Sequence, residues 1–287
     1  MAVMNYETPG ITKIEFEDSL FVTTELDKVT NKEVKEDIES RGGIIKNSVT
    51  KGTNYLIYKD GEEETTKYKK VLELVQEKGL EINILPLSLF NILLKGKDIL
   101  SFGEYPFDAD GTKRPIKWLV LKRKGKKALL LSVYGLDAKR YNVNWEDVTW
   151  ETCTLRKWLN EDFYHAAFSD EEKKRIQLTQ NKNTDNPSYH TPGGSDTEDK
   201  VFLLSIDEAK KYLTKNKRTT APTPYAVKQG AYRNNGNCWW WLRSPGSNAG
   251  LAAYVSDDGY INDHGFIVHY DTHAVCPALW VNLESEI

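Results

Sequence analysis

Cys238-Trp239-Trp240-Trp241-Leu242-Arg243-Ser244-Pro245-Gly246 is the stretch whose reading decides the fold of the larger part of this chain. Three consecutive tryptophans followed by leucine read as core and strand packing rather than a sugar-stacking platform. A strand sends successive side chains to opposite faces, so such a run needs cover on both sides. Downstream the chain proceeds in short segments punctuated by glycine and ends in Pro277-Ala278-Leu279-Trp280-Val281-Asn282-Leu283, the pattern of short strands. Upstream, Thr154–Phe163 places Leu155, Trp158 and Leu159 at helical spacing. Ser169-Asp170-Glu171-Glu172 and Ser205-Ile206-Asp207-Glu208 are capping boxes that open two more helices. Asn181–Lys200 is polar and reads as a long loop. Trp118–Leu121 and Ala128–Leu131 flank Lys122-Arg123-Lys124-Gly125-Lys126-Lys127, which predicts an antiparallel hairpin with a solvated, charged tip. This part is α+β. It carries no glycine-rich phosphate loop, no HExxH and no GxSxG.

The first hundred residues read differently. Leu20-Phe21-Val22, within Asp18–Thr24, is a short buried strand, and Thr30-Asn31-Lys32-Glu33 predicts a capping box. Val34 and Ile38 then share a helix face, and Gly42-Gly43 ends the helix. Ile44-Ile45, Tyr55–Tyr58 and Ile82–Leu85 read as strands. Thr65–Lys78 is a helix with Val71, Leu72 and Val75 inward, closed by Gly79, and Pro86 opens a last helix over Leu87–Leu94. The order β-α-β-β-α-β-α implies a small, mainly parallel sheet covered by helices.

Composition bounds the function classes. The chain has 287 residues, 39% hydrophobic and 11% aromatic, which suits two packed domains and excludes global disorder. The mean hydropathy of −0.57 and the lack of a long apolar run predict no membrane span, and MAVMNYETPG shows no secretory leader. Three scattered cysteines (Cys153, Cys238, Cys276) suit neither a disulfide framework nor a four-ligand zinc site. The net charge of −3 gives no nucleic-acid footprint. A cytoplasmic protein without a cofactor is expected. Lys95-Gly96-Lys97-Asp98 reads as a linker, dividing the chain into residues 1–97 and 98–287.

Across about residues 10–97 the chain resembles a BRCT domain. The resemblance is carried by Phe16, Leu20-Phe21-Val22-Thr23, Ile38-Glu39-Ser40-Arg41-Gly42-Gly43, Ser48–Ile57 and Thr66–Lys70, with Phe90 where many members have tryptophan. Some BRCT domains hold phosphoserine or phosphothreonine. The positions matching their phosphate-binding groups are the Thr23 hydroxyl, the Thr24 amide (where the family has glycine) and Lys67. The resemblance implies docking to a phosphopeptide or another protein segment. The plainer alternative for the same residues is a helix cap at Thr65 or Thr66 and a solvated Lys67.

Residues 99–283 resemble a bacterial and phage family of uncharacterised domains. The marks are Ser101–Pro106, Pro115–Trp118, Leu155–Asn160, Ala167–Ser169, Asp199–Ser205, Trp240–Gly246 and Pro277–Trp280, with Cys276 in place of the family's usual arginine. That family is similar to the C-type-lectin-like α+β fold of formylglycine-generating enzymes. Several members are variable proteins of diversity-generating retroelements, whose C-terminal segment is mutagenised to vary ligand binding. Ser247–His273 fits this expectation, because it holds no Lys, Arg, Glu, Gln, Met or Trp. Every residue type in it is reachable by substituting the adenines of an asparagine codon. Ala252-Ala253, Val255, Gly259, Ile261, Gly265 and Val268 read as the constant scaffold between the variable positions.

The candidate ligand-binding residues are Ser247, Asn248, Gly250, Leu251, Tyr254, Ser256, Asp257, Asp258, Tyr260, Asn262, Asp263, His264, Phe266, Ile267, His269, Tyr270, Asp271, Thr272 and His273. Rigid aromatic area mixed with adaptable Asp, Asn and Ser is the composition of a binding paratope. A glycine-rich hairpin array with ordinary polar turns is the competing reading, since Asp257-Asp258-Gly259 is common turn chemistry. His264, His269 and His273 beside four aspartates raise a metal site, although no spacing matches a known ligand pattern. Cys238 and Cys276 raise oxidase chemistry of the formylglycine-generating kind. The expectation is a non-enzymatic binder of an unknown protein ligand. The alternatives are an enzyme using a polar cleft near Trp239–Arg243 and a DNA-associated protein recruited through the BRCT unit.

Overall fold

The computed structural model describes residues 14–59, 65–94 and 99–283. The leader reading of Met1–Gly10 and the linker Lys95–Asp98 lie outside the described residues. The chain divides into two compact units, 1–98 and 99–287.

The first unit is built on a four-stranded parallel sheet of β1 (Leu20–Thr23), β2 (Ile44–Lys46), β3 (Tyr55–Tyr58) and β4 (Asn83–Pro86), in the order β2-β1-β3-β4. All four residues of β3 are buried, as a strand covered on both faces requires. Helix α1 (Lys28–Glu39) starts two residues before the expected Thr30 box. The Asp27 carboxylate takes the Thr30 amide at 3.0 Å and its hydroxyl at 2.5 Å, so the cap is aspartate and Thr30 lies in the first turn. Helix α2 (Thr66–Lys78) is capped by the Thr65 hydroxyl and closed by Gly79 at φ 62°. Its buried stripe is Tyr68, Val71 and Leu74, while the expected Leu72 and Val75 are half-buried at its margin. Val34 and Ile38 are buried as expected, and α3 (Leu87–Leu94) follows β4 directly.

The second unit holds two five-stranded sheets. One is antiparallel throughout: β5 (Ile99–Pro106), β6 (Lys113–Lys124), β7 (Lys127–Ser132), β18 (Ala278–Asn282) and β9 (Ile176–Gln177), in that spatial order. The β6–β7 hairpin has the expected charged tip, turning at Gly125. In the other sheet, β16 (Ile261–Ile267), β15 (Leu251–Val255), β14 (Trp240–Pro245), β17 (Ala274–Val275) and β8 (Asp137–Ala138) lie side by side, with only β14–β17 parallel. Short pairs β10 (Thr179–Asn181) with β11 (Thr197–Asp199), and β12 (Arg233–Asn234) with β13 (Asn237–Cys238), complete the strands.

The helix expected over Thr154–Phe163 is α4 (Thr154–Trp158), a π-helical turn at Leu159–Phe163 and α5 (Tyr164–Ala167). Asn160 Nδ2 donates to the Arg156 carbonyl, which an α-helix reserves for the Asn160 amide, and the widened turn follows. Both capping boxes form, on α6 (Asp170–Arg175) and α7 (Ile206–Tyr212). The short helices α8 (Lys215–Arg218) and α9 (Pro224–Lys228) follow. The polar 181–200 segment is less loose than a plain loop. Its ends pair as β10 and β11, and the fully buried Asp199 accepts hydrogen bonds from Trp150, Arg156, Asn181 and Thr197.

Candidate ligand-recognition face

Strand β14 anchors the site from below. Trp240 and Trp241 are fully buried, as core packing demands. Arg243 is buried too, and its two terminal nitrogens are engaged in structure while Nε is left without a hydrogen-bond partner. Its guanidinium donates to the Leu203 and Lys182 carbonyls and pairs with Glu208. The backbone carbonyl of Arg243 accepts the Tyr141 hydroxyl at 2.8 Å. Next to these contacts, Arg243 and Ser244 line a small pocket with Ser205, Lys182 and Asn183.

Trp239 departs from its neighbours, since it is half-buried and belongs to a surface band of rings. Its ring centroid lies 4.3 Å from Tyr232 and 6.0 Å from Phe266. Phe266 continues to Tyr270 at 5.5 Å, Tyr270 to His269 at 5.0 Å, and His269 stacks on Trp145 at 5.8 Å. Tyr232, Tyr270 and Trp145 are exposed, Trp145 to 73%. This band joins window residues to Trp145 and Tyr232, which lie outside the window. Neither was expected. A lone tryptophan or tyrosine in a polar stretch has no periodicity to mark it, although exposed tryptophan is itself a signal of recognition.

The window residues fall into three layers. Asn248, Asp258, Tyr260, His264, Tyr270 and Asp271 are exposed. Ser247, Leu251, Ser256, Asp257, Asn262, Asp263, Phe266, Ile267, His269 and Thr272 are half-buried. Gly250, Tyr254 and His273 are buried and lie beneath the surface rather than on it. Tyr254 packs 5.6 Å from Trp239, and Asn262 Nδ2 donates to its hydroxyl. His273 stacks on Trp241 at 3.8 Å, with the Tyr254, Phe266 and Trp239 rings 4.7, 5.0 and 5.5 Å away. Burial lowers its pKa from 6.5 to about 3, so it is a neutral imidazole.

The aspartates are held by turn chemistry and neighbouring donors. Asp258 accepts from the Ser256 hydroxyl and the Tyr260 amide and pairs with Lys215 at 2.9 Å, which together hold its carboxyl below the usual range. Asp263 accepts the Ser188 hydroxyl at 2.5 Å. Asn186 Nδ2 ties the 181–200 segment to the Pro245 and Asp263 carbonyls, so this segment buttresses one end of the β15–β16 hairpin. Among the described residues, no group of three or more His, Cys, Asp or Glu side chains is placed to hold a metal ion, and His264 faces Tyr189 instead. All three cysteines are buried with free thiols. Burial pushes Cys153 up to about 12 and raises Cys238 and Cys276, the wrong direction for a reactive thiolate.

In the first unit Lys67 meets the Thr23–Thr24 segment, but the candidate phosphate-binding groups are engaged within the domain. Lys67 Nζ donates to the Thr23 carbonyl at 2.9 Å, and the Thr23 hydroxyl is 3.3 Å from Asn31 Oδ1. The Thr24 amide donates to Ile57 at 2.9 Å, so it is not free to meet an anion. Thr23 and Thr24 are both buried.

No helix among the described residues is long and apolar enough to cross a membrane. No curated protein and no solved structure matches the chain. Residues 13–75 match the BRCA1 C Terminus (BRCT) domain, in accord with the parallel sheet of the first unit. Residues 125–283, more than half of the chain and including the whole aromatic band, match the domain of unknown function DUF6273, and the chain belongs to that family.

Proposed function

We propose that this chain is a non-enzymatic binding protein in which the β15–β16 hairpin and its aromatic band form the recognition face for a protein ligand. The observation that carries the reading is the ring band itself. Exposed Trp145, Tyr232 and Tyr270 stand on a frame whose inner layer is closed by Trp240, Trp241, Tyr254 and His273, and Tyr260 is exposed at the hairpin tip. Rigid rings lose little side-chain entropy on binding, and a pre-formed face keeps the ordering cost low. The buried thiols, raised in pKa, do not favour oxidase chemistry, and Arg243 spends its terminal nitrogens on structural contacts.

The finer reading is a C-type-lectin-like variable domain diversified by a retroelement. Its support is the composition of 247–273, in which every residue type belongs to the set reachable from an asparagine codon. It predicts, beside the gene, a near-copy of this coding segment that differs only at adenines. The BRCT domain supplies docking to a protein or phosphoprotein. Engagement of the Thr24 amide favours a contact that does not depend on phosphate. Matched phosphorylated and unphosphorylated partner peptides are expected to bind it alike, and strong preference for the phosphorylated form would reverse that choice.

The recognition face is tested by selecting displayed peptides on the full-length chain. Selected peptides should shift the indole resonances of Trp145 and Trp239 and leave those of Trp240 and Trp241 in place. Binding that moves none of the band's resonances would place the ligand site elsewhere.

A further inference from the structure

Asp257 is the one window aspartate that sits directly in the ring band. Its Oδ1 accepts the Trp239 indole N–H at 2.9 Å and its Oδ2 accepts Asn234 Nδ2 at 2.7 Å. Both donors are neutral, and the carboxylate is half-buried with no ion pair among the described residues. Three cations of this region are engaged elsewhere. Lys215 pairs with Asp258, Arg140 faces Asp271 at 3.8 Å, and Arg218 Nε donates to the Gly259 carbonyl at 2.9 Å. The nest behind the band adds no positive charge, because His273 is neutral.

A partly desolvated carboxylate held only by neutral donors is an incomplete charge arrangement, and a cation completes it. Two oxygens offer about four acceptor positions, of which two are used here. The indole that this carboxylate accepts is itself 4.3 Å from the ring of Tyr232, which is 39% exposed. The carboxylate at the indole N–H also polarises that ring, which favours a cation on the π system. A planar group that stacks on rings while presenting a fork of N–H donors fits these features better than a compact ammonium.

We propose that Asp257, Trp239 and Tyr232 form a subsite for the guanidinium of an arginine side chain on the partner polypeptide. The proposal rests on reading the aromatic band as the recognition face and names the chemistry of the group that face receives. It assigns a fixed role to Trp239 and Tyr232, which lie outside the diversified-looking window.

The test is a titration of the full-length chain with Nα-acetyl-arginine amide, read at the Trp239 indole N–H resonance, itself assigned by its loss in Trp239→Phe. Saturable shifts are expected. The neutral isostere Nα-acetyl-citrulline amide should bind about tenfold more weakly, as should the arginine compound to Asp257→Asn. Asp257→Asn keeps an acceptor for the indole, and unmoved resonances of the other tryptophans report that the fold is intact. Equal binding of citrulline overturns charge recognition, equal binding of Nα-acetyl-lysine amide overturns the guanidinium assignment, and absence of any Trp239 response overturns the subsite. None of these outcomes touches the face itself, which stands or falls on whether selected peptides perturb the ring band.

Discussion

His273 shows how a single residue reports on the frame beneath the face. It is fully buried between Trp241, Tyr254, Phe266 and Trp239, and its Nε2 has no hydrogen-bond partner. The unfolded chain takes up the proton near pH 6.5, while the folded chain resists until about pH 3. Stability from this group is therefore complete above pH 6.5 and is lost as pH falls from 6.5 toward 3, by up to about 1.4 kcal/mol per pH unit. Denaturant unfolding of wild type and His273→Phe at a series of pH values should show the wild type losing more stability than the variant as pH falls, the difference growing by this slope. Parallel curves would mean the imidazole is solvated. At this scale the sequence was legible where chemistry is local. Trp240 and Trp241 read correctly as core, whereas Trp239 did not, because only the approach of Tyr232 and Phe266 distinguishes it from its neighbours. The cap at α1 was misassigned for a related reason: Asp27 and Thr30 are both good caps, and nothing local ranks them.

Among the elements, the β15–β16 hairpin depends on its tip and its supports. Gly259 adopts φ +79°, and a Cβ there would lie 2.1 Å from the Lys215 carbonyl oxygen. Gly259→Ala should cost more than about 1 kcal/mol in chemical denaturation and perturb α8. An unchanged midpoint would show that the tip is not docked. The 181–200 segment supports the hairpin's other end through Asn186, and Asp199 closes that segment. Asp199→Ala should destabilise the protein by about 3 kcal/mol, since it strands the Arg156 charge and the Trp150 and Asn181 donors. A change below measurement error would dismiss this buried network as a support. Both serine capping boxes and the β6–β7 hairpin were readable, because each is specified within a few residues. The π-helical turn and the β10–β11 closure were not, because they depend on the Asn160 side chain and on a pairing across the length of a loop.

Across the whole molecule, a BRCT domain at 13–75 is joined in one chain to a DUF6273 domain at 125–283, which carries the proposed recognition face. The parallel order of the first sheet follows from its alternating pattern. The second unit's two sheets were legible only as short strands, since the pairing of β7 with β18 spans most of that unit. The recognition face was half legible. Composition marked 247–273, while Trp145 and Tyr232 join it only through folding. The most direct measurement pairs capture of selected peptides with thermal unfolding in the full-length variant Trp145→Ala/Tyr260→Ala/Tyr270→Ala. The exposure of these three rings predicts that capture is lost while the melting temperature moves by no more than about 2 °C. Retained capture, or a collapse of the melting temperature, would contradict the account.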